Sequence, residues 1–225
     1  MTMLRNIAFL TLALTTGFAS AAPIAAPLSF TSDANVAYHQ SLGKAEKDSV
    51  VVGFNFNYTG KVADNNFLGL WFGNASNLAE AYKGPSFGFK SNCGTDKCGK
   101  DDLFVRTGGT GGTFLKNSDL VAGTDYYLFA HLYKSGASDY FDRLDMWLNP
   151  TGYEMQMLTG ADATATERTN LKSVDTIGFR TAFVSSGVTL NVNDLRVGEV
   201  PEPGSVALMG LALAGLALTR RNKRG

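Results

Sequence analysis

The sequence predicts an all-β fold, an antiparallel β-sandwich of the jelly-roll type, flanked by an N-terminal signal helix and a C-terminal hydrophobic helix. Three observations support this prediction. Short apolar or alternating runs recur through residues 22–199, gaps rich in Gly, Asn, Ser and Pro separate them, and sustained helical periodicity is missing from this part of the sequence. Many short strands joined by tight turns are typical of two sheets packed face to face.

The N-terminus has the pattern of a secretory signal. Arg5 supplies a positive charge, residues 7–18 form an apolar stretch, and Ala19-Ser20-Ala21 fits a small-x-small cleavage site. We therefore predict a signal peptide over residues 1–21, removed by signal peptidase after export across the inner membrane. Because the stretch is short and small residues follow it, a retained membrane helix is the weaker alternative.

The clearest strand covers residues 50–58, where every second residue is apolar, so that Val50, Val52, Phe54, Phe56 and Tyr58 share one face. We predict one sandwich domain over residues 22–199. Residues 77–82 are the only segment of this domain in which we expect a helical turn. The other predicted strands are 67–72, 86–90, 103–107, 126–133, 143–148, 176–182 and 188–197.

The two cysteines, Cys93 and Cys98, lie in a segment rich in Gly and Asp. In an exported protein such a pair predicts a disulfide that closes a surface loop. Half of a metal site or a redox pair is the alternative, but four residues separate the cysteines and no histidine lies near them.

The charge of the chain argues against nucleic-acid binding. The whole sequence has 20 basic and 20 acidic residues, and without Arg5, Glu202 and the four basic residues of the tail its net charge is about −4. A mildly acidic domain without a basic run lacks the electrostatic attraction that a phosphate backbone requires.

No catalytic constellation is evident, and we predict that the protein is not an enzyme and holds no metal or cofactor. A retaining glycosidase needs two carboxylates about 5 Å apart. Asp142 and Asp145 are the nearest candidates, but they fall on opposite faces of a regular strand, and Arg143 shares a face with Asp145. The two histidines, His39 and His131, accompany no nucleophile motif.

One strand suggests binding instead. Residues 126–133 place Tyr127, Phe129, His131 and Tyr133 on one face. Aromatic rings with a polar edge suit sugar rings, although such a row also fits core packing between two sheets. The predicted glycan-binding residues are Tyr127, His131 and Trp147. Asn55, Asn57 and Trp71 are similar candidates on other strands.

The tail, residues 200–225, joins a Pro-rich motif to an uncharged run over 206–218 and a basic end. The run is shorter than the roughly 20 residues that span a bilayer, so a permanent anchor is the weaker alternative. Basic residues hold such an end on the cytoplasmic side. The motif residues are Pro201, Glu202 and Pro203, and the basic membrane stop consists of Arg220, Arg221, Lys223 and Arg224.

This order of motif, apolar run and basic cluster resembles the PEP-CTERM sorting signal of Gram-negative bacteria. The resemblance implies that the protein is exported, held transiently in the inner membrane, processed by an exosortase and delivered to the cell surface or the extracellular space. Proteins with this signal are typical of bacteria that make exopolysaccharide and biofilm.

The second half of the domain resembles the concanavalin A-like, laminin-G-like jelly roll. The resemblance is carried by Trp147-Leu148-Asn149-Pro150, by the run Asp175 to Arg180 and by the run Asn193 to Gly198. It implies two antiparallel sheets, one of them concave. Calcium binds some such folds through loop carboxylates. Asp96, Asp101 and Asp102 are the candidates here, without a complete loop signature.

Three functions remain open from the sequence. The first is a non-catalytic surface or matrix protein whose jelly roll binds exopolysaccharide. The second is a structural or adhesive module that binds protein or itself. The third is a divergent glycoside hydrolase.

Overall fold

The computed structural model describes residues 26–92, 100–109, 111–136 and 138–198, and twelve strands dominate them. The strands are β1 Leu28–Phe30, β2 Ala34–Glu46, β3 Ser49–Thr59, β4 Phe67–Gly73, β5 Ser86–Lys90, β6 Leu103–Arg106, β7 Thr113–Leu115, β8 Tyr126–Tyr133, β9 Arg143–Leu148, β10 Ala163–Ala165, β11 Val174–Ala182 and β12 Thr189–Gly198. A 3₁₀ turn, Ala75–Asn77, leads into α1, Leu78–Ala81, and α2 is Gly152–Met157.

The strands form two six-stranded antiparallel sheets. Sheet A has the order β1-β12-β3-β8-β9-β10, and sheet B has the order β2-β11-β4-β5-β6-β7. The predicted all-β sandwich of the jelly-roll type is therefore confirmed. Each of the eight predicted strands is present, and the bounds of β5, β8 and β9 are those predicted.

The core lies between the inner faces of the two sheets. The five alternating residues of β3, from Val50 to Tyr58, all belong to it, as the period of two predicts. Phenylalanines from both sheets interlock there. The Phe54 ring meets Phe179 edge-on with centroids 5.2 Å apart, and Phe56 lies 5.2 Å from Phe89. Edge-to-face and offset pairs at such distances add to the stabilisation that burial provides.

Strand β12 lies between two partners in sheet A. On one side it pairs with β1, and on the other it pairs with β3 from Thr189 to Gly198. Side chains extend this pairing along the outer face. Ser29 Oγ donates to Asn191 Oδ1 at 2.7 Å, Asn191 donates to Asn57 at 2.8 Å, and Asn57 donates to Asp125 at 2.5 Å. These bonds join three strands and the loop before β8.

The longest strand, β2, was not predicted because it has no regular apolar alternation. Among the described strands it pairs only with β11, and its register with β11 shifts twice. Strand β2 forms an edge of sheet B, where polar residues such as Gln40 and Lys44 are tolerated. The other unpredicted strands, β1, β7 and β10, have three residues each, too few to show a period.

Helix α2 was also not predicted, although its sequence signal is present. Thr151 accepts a hydrogen bond from the Glu154 N–H, and the Glu154 carboxylate accepts one from the Thr151 N–H. This reciprocal capping box corresponds to the pattern Thr-x-x-Glu. The only helical turn that we did expect, at 77–82, corresponds to α1.

Several predictions concern residues outside the described ranges. They are the signal peptide over 1–21, the Cys93–Cys98 disulfide, the carboxylate of Asp96 and the tail over 200–225. Across the described ranges, no helix is both long and apolar enough to cross a membrane.

Candidate functional site

The predicted aromatic row of β8 lies on the outer face of sheet A. Leu128, Ala130 and Leu132 point into the core, so the intervening side chains point outwards. The row therefore does not pack between the two sheets. Instead, Phe129 and Trp147 form a small second core with Val51, and residues of α2 and the following loop cover it.

Of the three predicted glycan-binding residues, only Tyr127 is partly exposed. Its ring lies over Gly53, where a β-carbon would collide with it. Trp147 is 1% exposed and donates its indole N–H to the carbonyl O of Thr159 at 2.9 Å. The structure brings Tyr127 and Trp147 to one face but buries the tryptophan beneath the loop that follows α2.

His131 is buried on the same face. It is 9% exposed and stacks on Tyr133 with ring centroids 4.4 Å apart. Its Nε2 has no hydrogen-bond partner among the described residues. Burial disfavours the charged imidazolium and lowers the pKa of His131 to about 4.

This pKa predicts acid sensitivity. Between pH 6.5 and 4, His131 is protonated in the unfolded chain but stays neutral in the folded protein. Protonation therefore favours the unfolded chain, and the free energy of unfolding decreases as the pH falls. In His131→Phe that contribution is absent. We expect the free energy of unfolding of the wild type, relative to the variant, to fall by roughly 3 kcal/mol from pH 7 to pH 4.

Urea unfolding of both proteins at several pH values measures this difference. The comparison is needed because burial raises the pKa of Asp102 to about 6, which gives the opposite pH dependence between pH 4 and 6 in both proteins. Parallel stability curves for wild type and variant would contradict the prediction.

The carboxylates that the sequence offered as an alternative catalytic pair have structural partners. Asp142 accepts hydrogen bonds from the Ser135 N–H at 2.7 Å and the Ser135 hydroxyl at 2.6 Å, and it lies 3.5 Å from Arg143. Asp145 accepts the Thr164 hydroxyl at 2.7 Å. Asp142 thus holds the loop after β8, and Asp145 links β9 to β10.

The loop carboxylates considered for calcium also accept backbone hydrogen bonds. Asp102 is buried and accepts the N–H groups of Asn92 at 3.3 Å and Leu120 at 3.0 Å. Asp101 accepts the Asn117 N–H at 2.6 Å. Among the described residues, no group of three or more His, Cys, Asp or Glu side chains is arranged to hold a metal ion.

Sequence reasoning did not anticipate the outer face of sheet B, which carries a different set of residues. Its middle row runs across five strands, from Arg180 on β11 through Gly69 and Gly88 to Phe104 and Phe114. The neighbouring rows contain Trp71, Ser86 and Arg106 on one side and Phe67 and Lys90 on the other. The two glycines leave the middle of this face without side chains of its own.

Aromatic rings occupy the space above the glycines. A β-carbon on Gly69 would meet the rings of Phe67 and Phe104, and these two rings stack with centroids 5.0 Å apart. Gly88 has φ 150°, and its β-carbon would meet the Leu68 carbonyl O. Glycine at position 69 thus makes room for the two phenylalanine rings, and glycine at position 88 is required by the backbone of β4.

Cationic side chains alternate with these rings. The Arg106 guanidinium lies 5.4 Å from the Phe67 centroid and 5.1 Å from that of Phe104. Arg180 lies 5.5 Å from Phe67 and 4.9 Å from Tyr82. Lys90 Nζ lies 5.4 Å from Phe114. All five distances are within the range of cation–π attraction.

These residues surround an open depression with a volume of about 240 Å³. We call it the cationic groove, defined by Phe67, Lys90, Phe104, Arg106, Phe114 and Arg180. The signal that could have revealed it is the pair of strands with glycine at the centre, Phe67-x-Gly69-x-Trp71 and Ser86-x-Gly88-x-Lys90. Glycine inside a strand often marks a close approach by another group.

The C-terminal end of the chain matches a known protein-family model. Residues 199–221 match the PEP-CTERM protein-sorting motif. The predicted motif and basic residues Arg220 and Arg221 fall inside this match. The PEP-CTERM motif indicates export and membrane-anchored passage toward the cell surface, with processing by an exosortase. No curated protein matches the chain by sequence.

Solved structures with similar folds are distant. A functionally unknown protein from Saccharomyces cerevisiae has a TM-score of 0.45 and 9% identity, covering 78% of this chain and 88% of its own. Sheep galectin-11, in complex with glycerol, has a TM-score of 0.42 and 15% identity, with coverages of 74% and 99%. The alginate lyase Aly36B has a TM-score of 0.43 and 10% identity, with coverages of 77% and 80%. These likenesses describe the fold alone.

Proposed function

We propose that this PEP-CTERM protein is a non-catalytic cell-surface or matrix component of a Gram-negative bacterium, and that its sandwich binds exopolysaccharide in the biofilm through the cationic groove. The observation that carries the proposal is the groove itself. It combines flat apolar rings with hydrogen-bond donors in one depression on an exported domain.

The chemistry of the groove suits a sugar ring. The C–H face of a pyranose is apolar and packs on an aromatic face, while its hydroxyls need hydrogen-bond partners at the edge. Phe114, 36% exposed at the rim, offers such a face, and Lys90, Arg106 and Arg180 supply donors. The row at Tyr127 offers less accessible ring surface because Phe129 and Trp147 are covered.

The non-catalytic character of the protein is part of the proposal. Of the described residues that line the groove, none is Asp, Glu or His. General acid–base catalysis of glycoside hydrolysis needs such groups close to the bond that breaks. Lys, Arg and Phe side chains bind and orient a ligand, which is the role we assign to them.

The test is retention of the full-length protein in native gels that contain the polysaccharide released by the producing cells. Phe114→Ala removes an exposed ring from the groove. We expect it to weaken binding about fivefold to tenfold, because the loss of one aromatic packing contact costs about 1 kcal/mol.

The matched control is Tyr153→Ala on α2, which removes a more exposed ring, 68% exposed, outside the groove. We expect it to bind as the wild type does. A Tyr127→Ala variant separates the two faces. If it loses retention while Phe114→Ala keeps it, the binding site is the outer face of sheet A and our assignment to the groove is wrong.

A further inference from the structure

No ion pair described in the structure involves the three cations of the cationic groove. The described ion pairs involve Lys44, Lys83, Arg143 and Arg196, which lie elsewhere on the molecule. Arg106, Arg180 and Lys90 instead face aromatic rings. Arginines that are largely removed from water normally pair with carboxylates, because desolvation of an unpaired charge is unfavourable.

Two of these cations are held close together. Arg106 is 8% exposed and donates from Nε to Ser86 Oγ at 2.8 Å. Burial, and to a lesser extent the positive charge of nearby Arg180, lowers the pKa of Arg106 to about 10. Such neighbours repel each other, and the Phe67 ring, within 5.5 Å of both guanidinium groups, offsets only part of this repulsion.

Hydrogen-bonding capacity is also unused at this place. The Nε of Arg180 is buried and has no partner among the residues described. Guanidinium groups present planar forks of N–H donors that match the two oxygens of a carboxylate or the oxygens of a sulfate. A bound anion would accept hydrogen bonds from the guanidinium forks and offset the repulsion between the two arginines.

We propose that the ligand of the cationic groove is an anionic glycan, whose acidic group pairs with Arg106 and Arg180 while a sugar ring packs on the exposed ring of Phe114. Lys90, whose Nζ lies 5.4 Å from the Phe114 centroid, meets a second acidic group along the polymer. This inference rests on the proposed function and specifies its substrate class. Carboxylate and sulfate share the required chemistry.

The experiment compares polymers that differ only in charge, with full-length protein in affinity gels. Polygalacturonate is compared with its methyl ester, and dextran sulfate with dextran. We expect at least tenfold tighter binding to one or both acidic polymers than to their neutral partners, and weaker binding as NaCl rises from 50 to 500 mM, because salt screens exposed charges. Polyglutamate tests charge without a sugar and should bind at least tenfold more weakly than the acidic glycan.

Variants locate the effect. Arg180→Gln removes one guanidinium and should weaken binding to the acidic polymer by about 10-fold to 100-fold, the worth of a charge-assisted hydrogen bond. Arg196→Gln removes one positive charge from sheet A, where Arg196 pairs with Asp194, and should leave binding unchanged. Lys90→Gln, at a strand end and half-buried, provides a second groove variant if Arg180→Gln folds poorly, as checked by thermal unfolding.

Each outcome is informative. Equal binding to acidic and neutral polymers would overturn the anionic assignment and leave the proposed glycan binding intact. Polyglutamate binding as tight as that of polygalacturonate would overturn the glycan part of the inference. Equal losses of binding in Arg180→Gln and Arg196→Gln would overturn the assignment of the site to the cationic groove. If no polysaccharide of either kind binds, both this inference and the proposed function fail.

Discussion

Replacing Phe179 by alanine is expected to lower the free energy of unfolding by about 3–5 kcal/mol, the usual loss for a large aromatic removed from a core. Phe179 is completely buried. Its ring centroid lies 5.8 Å from that of Phe30 and 5.2 Å from that of Phe54, and both of these residues belong to the other sheet. The ring centroid of Tyr38, in the same sheet, is 6.3 Å away. The cavity would therefore open at the centre of the sandwich.

Urea unfolding monitored by tryptophan fluorescence measures this loss, and the melting temperature should fall by roughly 10 °C. Phe183→Ala is the matched control, because Phe183 lies just beyond β11 and is 66% exposed. It should change stability by less than about 0.5 kcal/mol. Similar losses in both variants would mean that the ring of Phe179 does not bridge the two sheets.

Replacing Gly178 by alanine is expected to cost about 3 kcal/mol, at the upper end of the overpacking range. A β-carbon at this position would lie within 3.0 Å of ring atoms of Trp71 and of the backbone carbonyl O of Tyr38. Trp71 is fully buried on the outer face of sheet B, and the Tyr38 carbonyl belongs to the paired strand β2. Neither group has room to move.

Gly152→Ala is the control for this substitution, because nothing lies within 4 Å of a β-carbon there. At the start of α2, alanine should be neutral or slightly stabilising, by a few tenths of a kcal/mol. Unfolding measured by near-ultraviolet circular dichroism would report the loss of aromatic packing, to which the displaced Trp71 ring contributes. An unchanged melting temperature in Gly178→Ala would show that β2 is not held against β11 at this point.

The fold was largely predictable because strand alternation is a local property of the sequence. In β3 every second residue from Val50 to Tyr58 enters the core, and the period of two displays this directly. Strand β2 shows the limit of such reasoning. Its residues become a strand through pairing with β11, and that pairing cannot be read from a segment such as Gln40-Ser41-Leu42-Gly43.

The candidate site was less predictable because it depends on neighbours that are remote in the sequence. Arg106 and Arg180 are brought to one groove by the order β11-β4-β5-β6 in sheet B. No local sequence motif marks either arginine as a binding residue. The row at Tyr127 was correctly placed on one face, but the coverage of Trp147 depends on α2 and its following loop, whose capping signal was overlooked.

The position of β12 determines how the domain carries mechanical load. The strand ends at Gly198, and the sorting motif starts at the next residue. Antiparallel hydrogen bonds run perpendicular to the strands, so a pull along β12 shears the bonds to β1 and β3 together instead of opening them one after another. Tension applied at the C-terminal end of β12 would thus be shared by many bonds at once, and the strand would resist detachment from the sheet.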